Sequence, residues 1–201
     1  MTRDQRTGWL GLATVAGFTA LLIAFAAARA DYAHATRAIS ELGTVGAPNA
    51  LAWNLTGFLA VGLGLALFGW RLGRARGSRV ATGALTLFGL AFAATAVPAD
   101  MSDLSSAGSL VHIAASQAVL LFWVVGVAAL TLNRNAGAGL RWICGLALAL
   151  AVGSIVVRGA ELLPPGYSQR LSFAVIFGWA VASGLSLLRR SGTGTPQEQA
   201  D

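Results

Sequence analysis

Lysine is missing from the 201 residues, so all fourteen basic residues are arginine. That excludes Schiff-base and other lysine-dependent chemistry. The single cysteine, Cys144, excludes an internal disulfide and a cysteine-cluster metal site. Charge is scarce as well. Only 11% of residues are charged, against about a quarter in soluble domains, so the chain lacks the polar surface to cover a water-facing globule. What is present is apolar: 56% of residues are hydrophobic and the mean hydropathy is +0.68. The fold class this predicts is all-α, a polytopic integral membrane helix bundle. Heavy use of Ala and Gly, with arginine as the only base, points to a GC-rich bacterial genome and hence to the inner (plasma) membrane.

A spanning helix needs about 20 mostly apolar residues. Six runs meet this between charges, at 8–28, 50–70, 80–98, 107–132, 142–163 and 171–188. They make one six-helix transmembrane domain over 1–190, followed by a polar, disordered tail at 191–201. The first run follows Arg3 and Arg6 and ends near Ala28-Arg29-Ala30, as a signal peptide does, but it is longer than the roughly 7–15 residues of a signal h-region, which favours a retained helix. Arginine bias gives the orientation. With the N-terminus inside, the inner segments hold ten arginines: Arg3, Arg6, Arg71, Arg74, Arg76, Arg79, Arg134, Arg141, Arg189 and Arg190. Arg29, Arg37, Arg158 and Arg170 remain outside, and the C-terminus is also cytoplasmic. The charge of +6 is thereby a topology signal that contacts anionic headgroups in "WRLGRARGSR". Nucleic acid is disfavoured, because no interleaved aromatics accompany these charges to stack on bases.

The same topology sends Asp31, Glu41, Asp100, Asp103, Glu161, His34 and His112 to the outer face. Mixed charge with histidine marks a site, whereas an excess of arginine marks orientation. Ser105, Ser109, His112 and Ser116 recur at helical spacing, as do Ser154, Arg158 and Glu161. The charge-free stretch 142–157 spans about 24 Å at about 1.5 Å per residue, so Arg158 is expected within the outer leaflet, facing Glu161, Asp100 or Glu41. Ser40, Glu41 and Asn49 lie where the chain re-enters the bilayer, with Pro48 in the first helical turn. Together with Asp100, His112 and Arg158 they are expected to close an outward-facing polar pocket.

"ISELGTVGAPNA", "VPAD" at 97–100, "GSLVH" at 108–112 and "YSQRL" at 167–171 resemble the bacterial membrane family filed as domain of unknown function 998. The resemblance covers about residues 8–188. It implies a six-helix membrane protein with recurrent polar positions at Ser40, Glu41, Asn49, Asp100, His112 and Arg170. The family commonly places an aromatic residue before the Pro-x-Asp, where this chain has Val97. The resemblance supports an architecture and carries no activity.

Four readings of the outer residues stand side by side. An intramembrane hydrolase would use Ser40 as nucleophile, His112 as base and Asp100 as orienting acid, although a Gly-x-Ser-x-Gly elbow is missing. A zinc site from His34, His112 and a carboxylate is disfavoured, because no close ligand pair exists in the sequence. An anionic or lipid-like ligand would be bound through Arg158 and Arg170, whose guanidinium forks suit phosphate and carboxylate, with Glu41, Asn49, Asp100 and His112 shaping the pocket. A structural or accessory protein would instead pair Arg158 with Glu161 and Arg170 with Asp100. No cofactor is called for; membrane lipids are the expected partners, and the oligomeric state is left open. Asn54-Leu55-Thr56 matches a glycosylation sequon inside a span, where a helix-to-helix hydrogen bond by Asn54 is the better reading. Gly62, Gly64, Gly89 and Ala93 permit close helix approach. Trp9, Trp70 and Trp142 are expected near inner interfaces and Trp53 near an outer one. Cys144 is expected to be a packed small residue.

Overall fold

Helix formation begins with caps that the sequence supplies. Thr2 and Gln5 form a capping box ahead of α1 (Arg3–Ala27), which meets two of the donors left open at a helix start. Ser78 accepts from the Ala81 amide ahead of α3 (Arg79–Ala94), and Ser106 from the Ser109 amide ahead of α4 (Ala107–Leu132). Between α1 and α3 lies α2 (Ala50–Ala75), in which Asn54–Ala60 is a π-helical stretch. α5 (Ala138–Gly159) and α6 (Pro165–Gly192) complete the chain. This computed structural model describes residues 1–192. Ser191 and Gly192 continue α6, and the rest of the expected tail lies outside the described residues. Among the described residues there is no strand.

The six helices close into a ring in chain order. Each packs on its chain neighbours, and α1 returns to α6 to shut the circle. A Cβ on Gly8 of α1 would stand 2.7 Å from the Gly184 carbonyl of α6, so the start of α1 and the end of α6 lie at one end of the bundle. That end also carries the turns around Gly77 and Gly137, both at positive φ, and is called the arginine end below. The opposite, loop end carries the segments 28–49, 95–106 and 160–164. There the 3-10 turn Ile39–Gly43 drops Ile39 and Leu42, each 1% exposed, onto the bundle. Phe18, Trp53, Phe58, Phe92, Phe173 and Phe177 form an aromatic cluster across the middle, with the Phe18 and Phe177 centroids 4.7 Å apart.

Five helices, α1, α2, α4, α5 and α6, are long and apolar enough to cross a membrane. The expected third span, 80–98, is instead the 16-residue α3, about 24 Å long at about 1.5 Å per residue. It stops because Thr95 turns its hydroxyl back to the Phe92 carbonyl and because Pro98 disfavours helix in the residue before it. The fifth helix ends at Gly159 rather than 163. Glu161 adopts φ 53°, while the Glu161 and Leu162 amides return to the Arg158 and Val157 carbonyls, a Schellman ending with glutamate in the position usually held by glycine. Glu161 therefore leaves the helical face it was expected to share with Arg158. The sixth helix starts at Pro165, whose fixed φ and missing N–H suit a first turn. Ser105 and Pro48 fall outside helices, and Trp53, expected at an interface, is fully buried.

Candidate functional site

Faces of three helices, α4, α5 and α6, enclose a cavity of about 620 Å³ at the loop end, well inside the roughly 300–1,000 Å³ of ligand pockets. On α4 the lining runs through His112, Ser116, Gln117, Leu120 and Trp123; on α5 through Ala151, Ser154, Ile155 and Arg158; on α6 through Gln169, Ser172, Phe173 and Ile176. On α5 and α6 these are i, i+3, i+4, i+7 stripes, and on α4 His112, Ser116, Leu120 and Trp123 step by four, four and three residues, which is how a helix presents one face. Phe58 of α2 and Phe92 of α3 form the back, and Ser40 with Thr95 reaches in from the loop segments.

Polarity is graded along the cavity. Ser40, His112, Arg158 and Gln169 lie toward the loop end, whereas Leu120, Trp123 and Ile176 lie deeper. His112 and Trp123 are about 16 Å apart along α4 at about 1.5 Å per residue. The mouth opens sideways between α4 and α5, where Ile113 is 42% and Ile155 52% exposed and Gln117 and Arg158 are exposed beside them.

Hydrogen bonding separates the engaged groups from the available ones. Ser154 and Thr95 return their hydroxyls to the Ala151 and Phe92 carbonyls. Gln169 accepts the Ile39 amide through its carbonyl oxygen, which leaves its NH₂ for the cavity. Nδ1 of His112 lies 3.0 Å from the Val97 carbonyl. A carbonyl only accepts, so Nδ1 carries the proton and Nε2 of the neutral ring is left as the acceptor. The side chains of Ser40, Ser116, Gln117 and Arg158 have no protein partner among the described residues.

The four arginines at this end divide clearly. Arg29 pairs with Asp31 at 2.6 Å and donates to the Glu41 carbonyl at 2.8 Å. Arg37 pairs with Glu41 at 3.0 Å. Arg170 donates to the Arg37 and Gly166 carbonyls, to the Tyr32 hydroxyl at 2.7 Å and to Nδ1 of His34 at 3.0 Å. Only Arg158 stands unpaired, and it lines the cavity.

The structure thus brings Ser40, His112 and Arg158 into one cavity and leaves Glu41, Asn49, Asp100 and Arg170 out of its lining. Glu41 caps Ala38 and holds Arg37. Asn49 is exposed at φ 58°, ahead of α2. The Asp100 carboxylate accepts from the hydroxyl and amide of Ser102, bonds that hold it below the usual carboxylate range. It therefore does not orient His112; the Val97 carbonyl does. Arg170 bonds the Arg37 and Gly166 carbonyls and not Asp100, and Arg158 makes no pair with Glu161. Asn54 donates to the Gly43 carbonyl at 2.9 Å, so it ties the 3-10 turn to α2 and bonds no other long helix. Gln117 and Gln169 were overlooked by sequence reasoning, which followed charge; an uncharged amide inside or beside an apolar run was the signal available.

A family model described as a protein of unknown function (DUF998) matches residues 5–186. No curated protein and no solved structure matches the chain.

Proposed function

The chain belongs to the DUF998 family, and from the cavity of this member we propose a multi-pass inner-membrane protein that binds an anionic, lipid-like ligand entering from the outer leaflet. In this reading all six helices sit in the bilayer as one domain, the short α3 included, with both termini cytoplasmic and the loop end outward. The supporting observation is Arg158, the one loop-end arginine with no protein partner, standing at the mouth of an amphipathic cavity. An unpaired guanidinium at membrane depth is costly, so such groups face a partner or a wet cavity. A phosphate or carboxylate would take the fork of Arg158 in bidentate fashion. Ser40 and the Gln169 amide would donate to its remaining oxygens, and an acyl chain would follow the apolar wall toward Trp123. Arg170 acts as an internal clamp of the loop segment.

The experiment is native mass spectrometry of the purified protein with short-chain phosphatidylglycerol, comparing wild type, Arg158→Gln and Arg170→Gln. Arg158→Gln is expected to lower retention of one bound lipid about tenfold, the equivalent of one modest charge-assisted contact. Equal retention in wild type and Arg158→Gln removes the reading.

A second reading, a hydrolase acting on such a lipid, is favoured by one observation: Ser40 and His112 line the same cavity, and the His112 ring is held in the tautomer that leaves Nε2 as a base. In that case the protein would turn such a lipid over, and Ser40→Ala would abolish the turnover.

A further inference from the structure

At the opposite end of the bundle a second cavity, of about 530 Å³, separates α1 from α2. Arg3 and Arg6 line it from the first turns of α1, and Arg71 and Arg74 from the last turns of α2. Each pair is spaced i, i+3, which puts both members on one helix face. Two forked faces therefore oppose each other across one cleft. The only acid in the lining, Asp4, already holds Arg76 at 3.1 Å. The guanidinium groups of Arg3, Arg6 and Arg71 make no hydrogen bond or ion pair among the described residues, and that of Arg74 lies only over the Trp70 ring, 5.1 Å from its centroid. Four like charges gathered around a cleft repel one another unless an anion sits between them. A topology signal needs positive charge near a helix end, but it has no need to aim four guanidinium forks at one cavity.

We infer that this cleft is a second anion site, one that takes the phosphate of an anionic phospholipid headgroup. Its depth fits that source. Trp9, Trp70 and Trp142 are 55%, 40% and 79% exposed at this end of the bundle, and exposed tryptophans settle at headgroup level. Guanidinium forks match phosphate oxygens two at a time. The inference does not rest on the loop-end cavity, since the two sites share no residue.

The test is native mass spectrometry of the full chain in the Arg158→Gln background, which isolates this site whether or not the loop-end cavity binds lipid. The probes are short-chain phosphatidylglycerol, phosphatidylcholine and inorganic phosphate. Phosphatidylglycerol is expected to be retained and phosphatidylcholine not. R6Q/R71Q is expected to lower retention about tenfold or more, while R79Q/R134Q, which removes equal charge from the same end outside the cleft, leaves it unchanged. R71K/R74K preserves the charge that directs insertion and loses the forks, so a fall in retention in this variant supports the site even if the glutamine variant does not fold. Displacement of the lipid by millimolar inorganic phosphate would identify a soluble phosphate as the occupant of the same site. Equal losses in R6Q/R71Q and R79Q/R134Q, or no preference for phosphatidylglycerol, would overturn the inference.

Discussion

Tyr32 lies in the loop after α1 and is 8% exposed. Its hydroxyl donates to the Ala38 carbonyl at 3.0 Å and accepts from Arg170 at 2.7 Å. The guanidinium groups of Arg29 and Arg170 lie 5.8 and 5.7 Å from its ring centroid. One phenol thus ties the loop over the cavity to the start of α6. Gly166 makes the tie possible, because a Cβ there would meet the His34 and Arg37 carbonyls at 2.5 and 2.7 Å. Tyr32→Phe keeps the ring and removes both hydrogen bonds, so it is expected to cost about 1–3 kcal/mol, since one of the two bonds is to a charged group. Burial raises the Tyr32 phenol above its ordinary pKa of 10.0, against the opposing pull of Arg170. A raised folded pKa means that this contribution is complete below the unfolded value and is lost as pH rises through the folded one. Thermal unfolding in detergent should accordingly show an alkaline loss above about pH 10 in wild type. Tyr32→Phe should start lower and lack that loss; an identical alkaline loss in both proteins would assign it to another group.

Among the helices, α3 is the one too short to cross a membrane by length alone, and α2 holds it. A Cβ on Gly62 would fall on the Ala93 backbone, one on Gly89 on the Ala66 backbone, and one on Gly73 at 2.5 Å from Thr82 Cα. Glycines on both helices let the backbones approach as closely as small-residue membrane interfaces require. Gly89→Leu has no space and is expected to destabilise the bundle by at least the roughly 1–3 kcal/mol of overpacking. Gly83→Ala, on the same helix with nothing within 4 Å of the new Cβ, should be neutral or stabilising by about 0.5–1 kcal/mol. Melting temperatures of the two variants decide the matter, and equal values would remove the packing argument. The positions of the glycines in the apolar runs suggested close approach, but not which pair of helices makes it. The sequence also put Glu161 on the Arg158 face because helical spacing counts residues regularly, whereas the left-handed residue at 161 breaks the count.

For the whole molecule, an even number of antiparallel helices and the contact of Gly8 with Gly184 put the start of α1 and the end of α6 together. Ten arginines fall at that end by sequence and four at the other. Reporters of compartment fused to each terminus are expected to register cytoplasm at both; a periplasmic reading at either end would reverse the proposed orientation and the outward direction of the cavity. The apolar runs, read in isolation, were enough to predict a helical bundle and to sort the histidines and most of the acids to one end, because helix formation in an apolar run and the alternation of antiparallel helices are local or cumulative properties of the chain. What only the tertiary structure decided is which polar groups remain available. Arg158 and Arg170 are equivalent in the sequence, yet one is clamped by Tyr32, His34 and two carbonyls while the other faces a cavity. That difference arises from helix rotation and from how each helix ends, and both are set by packing between segments far apart in the chain.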